Sequence, residues 1–215
     1  MSWTIPNVLS VIRVLAAPCV ALAFALFERP DADRIAIIIF VGAALTDYLD
    51  GILARSLSQE SAFGRMLDPI ADKAMVLIAL AIIMSIYGLS WQIVLPAVLI
   101  ILREVLVSGL REYLGAVKLH VTRMAKWKTT LQMLATGLLL LSGAVKPGEE
   151  AEPVNRAVES VLSYAAIGLG AIGLVLLWIA AWFTLVTGWD YFSKGMPYIR
   201  SKQSVTVTPV ADPKE

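Results

Sequence analysis

The chain reads as an all-α integral membrane protein, a bundle of six transmembrane helices, and three observations predict it. Of its 215 residues 58% are hydrophobic and 16% charged, with a mean hydropathy of +0.75. Soluble domains run at about 45–50% apolar and about 25% charged. Six apolar stretches each approach the ~20 residues that a helix needs to cross the hydrocarbon layer. The basic residues also gather on alternate connections, the mark of an oriented multi-pass chain. These stretches fill residues 1–200 as one six-helix domain, and 201–215, polar and proline-containing, reads as a flexible tail.

The first span runs from Ile5 to Phe27. No basic leader precedes it and no small-residue cleavage site follows, so it is expected to stay in the protein. Cys19, the single cysteine, excludes an intramolecular disulfide or a cysteine-ligated zinc site and reads as a small packing residue. Glu28-Arg29-Pro30-Asp31 breaks the pattern before a second span from Arg34 to Leu53. The third runs from Asp68 to Tyr87, with Pro69 suited to an early helical position and Asp68 to a cap or a ligand. Past Tyr87-Gly88-Leu89-Ser90 the fourth covers Trp91 to Tyr113, and the fifth covers Ala125 to Val145. Lys146-Pro147-Gly148 then separates a sixth, from Val158 to Val186. Trp3, Trp91, Trp127 and Trp189 fall near these ends, where amphipathic rings favour the interface. Gly168, Gly170 and Gly173 in the sixth read as small residues for close helix packing.

Orientation follows from charge. Connections 2–3 and 4–5 and the tail carry Arg55, Arg65, Arg111, Lys118, Arg123, Lys126, Lys128, Lys194, Arg200 and Lys202. On connections 1–2 and 5–6 acids outnumber bases. Both termini and the second-to-third connection are therefore expected on the cytoplasmic side. A net charge of +1 gives no reason to expect a nucleic-acid partner.

Charge inside an apolar chain is costly and points to a task. From Asp47 to Asp72 the chain reads DYLDGILARSLSQESAFGRMLDPIAD. Asp47 and Asp50 are three apart, Asp68 and Asp72 four apart, so each pair shares one helix face. A short connection makes the second and third helices expected antiparallel neighbours, with all four carboxylates brought together. Oxygen-only ligation suits Mg2+ or Mn2+, and paired cations about 3.5–4 Å apart recur in displacement at phosphorus. Gly51 and Gly64 clear side chains where a nucleotide must come close. Arg55, one turn beyond Gly51, offers a planar fork to phosphate. The plainer reading is capping plus interfacial ion pairs, Asp47 or Asp50 with Arg55 and Asp68 with Lys73. It leaves carboxylates in excess, so the metal site is preferred.

The pattern D-x-x-D-G-x-x-A-R, eight residues, G-x-x-x-D-x-x-x-D is complete here and resembles the signature of the CDP-alcohol phosphotransferase family. That resemblance implies a six-helix enzyme, a homodimer, with two divalent cations beneath a CDP-linked lipid. By position it makes Asp47, Asp50, Asp68 and Asp72 the metal ligands, Asp72 also the general base, and Gly51, Arg55 and Gly64 contacts to CDP. Its implied reaction removes a proton from an alcohol, whose oxygen attacks the lipid-side phosphorus as CMP leaves.

The acceptor is read from the fourth and fifth spans. LREVLVSGLRE places Arg103 and Arg111 eight residues apart, about two turns on nearly one face, with Ser108 between. Lys126 and Lys128 stand at the mouth of the fifth span. Together they form an anion pocket fit for a phosphorylated acceptor. Positive-inside bias and pairing with Glu104 or Glu112 account for some of these charges, but poorly for Arg103 within its apolar run. These stretches and Asn7-Val-Leu-Ser10-Val-Ile-Arg13 resemble the phosphatidylglycerophosphate synthases, a branch of that family, with Ser10 where its pattern has Thr. Asn7 either lines the nucleotide pocket or caps the first helix, and His120 reads as a polar loop residue.

The resemblance implies a bacterial inner-membrane enzyme joining CDP-diacylglycerol to sn-glycerol 3-phosphate. The rivals are a sister enzyme with another acceptor and a divalent-cation transporter. Transporter sites sit near the midplane, often in inverted repeats, whereas these aspartates cluster at one interface and no repeat is found.

Overall fold

A computed structural model describes residues 5–57, 62–115, 123–147 and 156–206. Every regular element among them is an α-helix: α1 (Ile5–Leu26), α2 (Asp31–Leu57), α3 (Ala62–Ile86), α4 (Trp91–Leu114), α5 (Arg123–Val145) and α6 (Arg156–Thr206). The bundle is turned out toward lipid. In α1, Val8, Ile12, Leu15, Leu22 and Leu26 are exposed, while Asn7, Ser10, Arg13, Ala17, Val20 and Ala23 are buried at spacings of three and four. One stripe of small and polar residues thus faces inward and large aliphatics face out, as expected where lipid tails are as apolar as leucine. Cys19 is exposed, correcting its expected place in the packing: it falls off the buried stripe.

Among the described residues four helices contain stretches apolar enough to cross a membrane on their own: Asn7–Leu26, Met66–Ile86, Trp91–Leu114 and Ala157–Ile199. Helices α2 and α5 carry more polar residues and complete the bundle through their neighbours. Helix α1 packs on both α2 and α3, α5 on α6 and α2, and α4 on α6. This corrects the expected direct pairing of α2 with α3: among the described residues α1 joins them, its Ala17, Val20 and Ala23 being small enough to sit between two helices.

Helix ends also differ from expectation. Helix α3 begins at Ala62, so Asp68 is no cap and Pro69 lies inside the helix. A proline in the second turn forfeits one backbone hydrogen bond and the helix runs through it. Helix α6 continues to Thr206, twenty residues past Val186, and covers the first six residues of the expected tail; residues 207–215 lie outside the described set. Hydropathy marks where the membrane ends, not where the helix ends. Asp190 and Lys194 pair at 2.7 Å one turn apart along the continuation.

Glycines set the α5–α6 contact. A Cβ at Gly173 would stand 2.9 Å from Leu139 Cγ and 3.2 Å from the Ala135 carbonyl oxygen; one at Gly170 would be 3.1 Å from Ser142 Oγ; one at Gly168 would meet nothing within 4 Å. Two of the three expected packing glycines do that work. At the far end of the bundle from Asp47, Asp33 is fully buried and receives Arg29 Nε at 2.7 Å. Gly143 leaves the space that this pair fills.

Candidate active site

The site is built on the inward stripe of α1. Ser10 Oγ donates to Asp68 Oδ1 at 2.6 Å, and Arg13 Nη1 donates to Asp47 Oδ1 at 2.6 Å and to Asp72 Oδ1 at 3.0 Å. Arg13 is 2% exposed, while the side chains of Asp47 and Asp72 are 45% and 48% exposed. Each residue arrives there by helical period. Asp47 continues the buried face of Ala36, Phe40 and Ala43 on α2, and Asp68 and Asp72 extend the face of Met75, Ala79 and Ile83 on α3. A buried guanidinium with two carboxylates answers the cost of charge at depth.

Asp47 therefore pairs with Arg13 of another helix, and Asp68 bonds Ser10 rather than Lys73. The side chains of Asp50 and Arg55 lie outside the described set, although both positions and Gly51 belong to α2. Gly64 and Asn7 are buried, Asn7 one turn before Ser10 on the same stripe. Among the described residues no three acidic, histidine or cysteine side chains form a ready metal cluster. The donor set nonetheless fits divalent cations. Two of the three carboxylates share one guanidinium and the third meets only a neutral hydroxyl, which leaves negative charge in excess, and all their ligand atoms are hard oxygens.

Beside the aspartates a cavity of about 380 Å³ opens between α3, α4, α5 and α6. Asp68 and Asp72 line it, as do Arg103, Arg111 and Lys128, so the expected base and three expected acceptor cations border one space. Lys126 has its side chain outside the described set. Arg103 is inward because it follows Ile100 by three and precedes Val107 by four, on the buried face of α4. Its Nη1 is 3.2 Å from Glu104 Oε1 and its Nη2 is 3.4 Å from Thr187 Oγ1, while its buried Nε has no partner among the described residues. Glu104 also accepts from Lys128 Nζ. A Cβ at Gly188 would meet Arg103 Cγ at 3.0 Å, so α6 leaves a lane for this side chain. Arg111 is held loosely, its Nε 3.5 Å from Tyr191 Oη and its guanidinium carbon 5.9 Å from that ring's centre.

Six residues were given no role in the site by the sequence. Arg13 and Ser10 organise the aspartates; the available signal was three polar residues, Asn7, Ser10 and Arg13, at three-residue spacing in a span otherwise fit for lipid. Thr187, Asp190 and Tyr191 of α6 complete the cavity wall beyond the point where the sixth apolar run stops. Lys73 lines the cavity too, and its Nζ donates to Ser108 Oγ.

The sequence profile of the CDP-alcohol phosphatidyltransferase family matches residues 3–189. A protein of Cereibacter sphaeroides named CDP-diacylglycerol–glycerol-3-phosphate 3-phosphatidyltransferase is 50% identical over 94% of this chain and all of its own length. Proteins bearing the same name in Rickettsia felis and Haemophilus influenzae are 38% and 42% identical, over 90% and 65% of this chain and 96% and 77% of their own.

Proposed function

The chain belongs to the CDP-alcohol phosphatidyltransferase family, and from that premise we propose how its residues divide the work of the reaction. The protein is a membrane enzyme of phospholipid biosynthesis that transfers the phosphatidyl group from CDP-diacylglycerol to sn-glycerol 3-phosphate, giving phosphatidylglycerophosphate and CMP. One observation carries the assignment of roles: Asp72 and the cations Arg103, Arg111 and Lys128 border a single cavity.

In this reading Arg103, Arg111, Lys126 and Lys128 hold the acceptor's phosphate, with the planar forks of the arginines matched to its oxygens. Asp72, aimed by the Arg13 guanidinium, accepts the proton of the acceptor's primary hydroxyl. The freed oxygen pair forms a bond to the lipid-side phosphorus, the bond from that phosphorus to the CMP oxygen breaks, and CMP carries away its electrons. Asn7, Gly51, Arg55 and Gly64 bind the CDP portion at the cytoplasmic ends of α1, α2 and α3. The family works with divalent cations. Asp47, Asp50, Asp68 and Asp72 would hold two of them, Mg2+ or Mn2+, which when bound would supply charge neutralisation for the diphosphate and the departing CMP. The enzyme is a homodimer in the bacterial inner membrane with the site and both termini toward the cytoplasm, a placement supported by the basic residues of connections 2–3 and 4–5.

The deciding experiment is CMP release by detergent-purified protein given CDP-diacylglycerol and Mg2+, with glycerol 3-phosphate, inositol phosphate, serine or phosphatidylglycerol offered separately. Release with glycerol 3-phosphate alone is the expected result. Release with another acceptor instead would retain the aspartate chemistry and overturn the roles given to the basic side chains.

A further inference from the structure

Four described cations border the cavity, and three of them lie in the basic stretches of α4 and α5. The fourth, Lys73, directly follows Asp72 on α3. Its surroundings differ from theirs. Arg103 and Lys128 both meet the carboxylate of Glu104, so part of their charge is already answered. Lys73 bonds a neutral hydroxyl, Ser108 Oγ, which in turn donates to the Glu104 carbonyl oxygen at 2.5 Å. Among the described residues no carboxylate pairs with Lys73. An ammonium carries three donors, and Ser108 takes one. A cation kept without a counter-charge at the edge of an apolar bundle is costly unless an anion comes to it.

The direction of the tether shows which anion. Ser108 lies on α4 between Arg103 and Arg111, so the ammonium is drawn across the cavity toward the acceptor side and away from α1 and α2. We propose that Lys73 is a ligand of the acceptor's phosphate, fixed by Ser108, and that with Asp72 it measures the acceptor. Adjacent residues on one helix turn place the base and this phosphate ligand within one small molecule's reach of each other. The class selected is a short alcohol whose hydroxyl and phosphomonoester lie a few bonds apart. This rests on the acceptor pocket proposed above.

The test is steady-state kinetics of Lys73→Met, Lys73→Arg and Arg111→Ala in the full-length protein, with each substrate varied in turn. Lys73→Met is expected to raise KM for glycerol 3-phosphate about tenfold or more, the worth of one charged hydrogen bond. KM for CDP-diacylglycerol should stay within about twofold, and Lys73→Arg should recover most of the loss. Equal changes in both KM values, or a fall in kcat alone, would overturn the assignment. If Arg111→Ala then still raises KM for glycerol 3-phosphate selectively, the pocket stands and only Lys73 is displaced from it. If neither variant does, the pocket itself falls. Should Lys73→Met fail to fold, Ser108→Ala decides: untethering the ammonium is expected to raise the same KM about threefold, and an unchanged value overturns the proposal.

Discussion

Arg13 Nη1 lies 3.0 Å from Asp72 Oδ1, across the α1–α3 interface, and the same nitrogen lies 2.6 Å from Asp47 Oδ1 on α2. One buried guanidinium thus ties three helices at the point where the carboxylates gather. Arg13→Ala would leave two carboxylates facing each other without it. A loss of about 1–3 kcal/mol is expected, below the 3–5 typical of fully buried pairs because both aspartates are half exposed and screened. Arg13→Lys keeps the charge but not the fork, and should fold while turning over at least about tenfold more slowly. Thermal unfolding in detergent and CMP release check both; wild-type values for Arg13→Ala would remove the bridge from stability and catalysis alike.

Asp72→Asn keeps volume and hydrogen bonding but cannot accept a proton at the working pH. Turnover should drop by at least about a hundredfold, while CDP-diacylglycerol is expected to raise the melting temperature of this variant and of the wild type by similar amounts. Near-normal turnover would move the base elsewhere.

Among the described residues Arg111 makes a long hydrogen bond and a ring contact with Tyr191 and no ion pair, so its guanidinium is available to a ligand. Arg111→Ala is expected to raise KM for glycerol 3-phosphate about tenfold with little change for the CDP lipid. Parallel rises for both substrates would contradict a role confined to the acceptor.

Chelation tests the carboxylate excess directly. EDTA should abolish CMP release, with recovery on adding Mg2+ or Mn2+ and none with monovalent salt, since hard oxygen donors suit those ions. Activity that survives exhaustive chelation would strip the aspartates of their role as ligands.

Gly173 and Gly168 make a matched pair on α6. Gly173→Ala drives a methyl against Leu139 and the Ala135 carbonyl, and should cost about 1–3 kcal/mol through overpacking. Gly168→Ala meets open space and should be neutral, or stabilising by up to about 1 kcal/mol from helix propensity. Unfolding temperatures in one detergent compare them, and equal effects would show that the α5–α6 contact is not limited at Gly173.

The all-α membrane class, the approximate helix positions and the aspartate signature are legible in the amino-acid order, because hydropathy and helical period are local properties. Asp47 and Asp72 are conspicuous simply as charges beside apolar runs, and Arg103 as a charge within one. The partners of those charges were another matter. Nothing local says that α1 stands between α2 and α3, so Arg13 could not be matched with Asp47 and Asp72, 34 and 59 residues away. Nor does a hydropathy profile reveal that α6 runs on past Val186 and brings Thr187 and Tyr191 to Arg103 and Arg111. Which residues are able to carry charge chemistry was determined by the sequence by itself. Which of them meet was decided by the tertiary structure, because helix packing is settled by the fit of small inward faces across distances that no local pattern encodes.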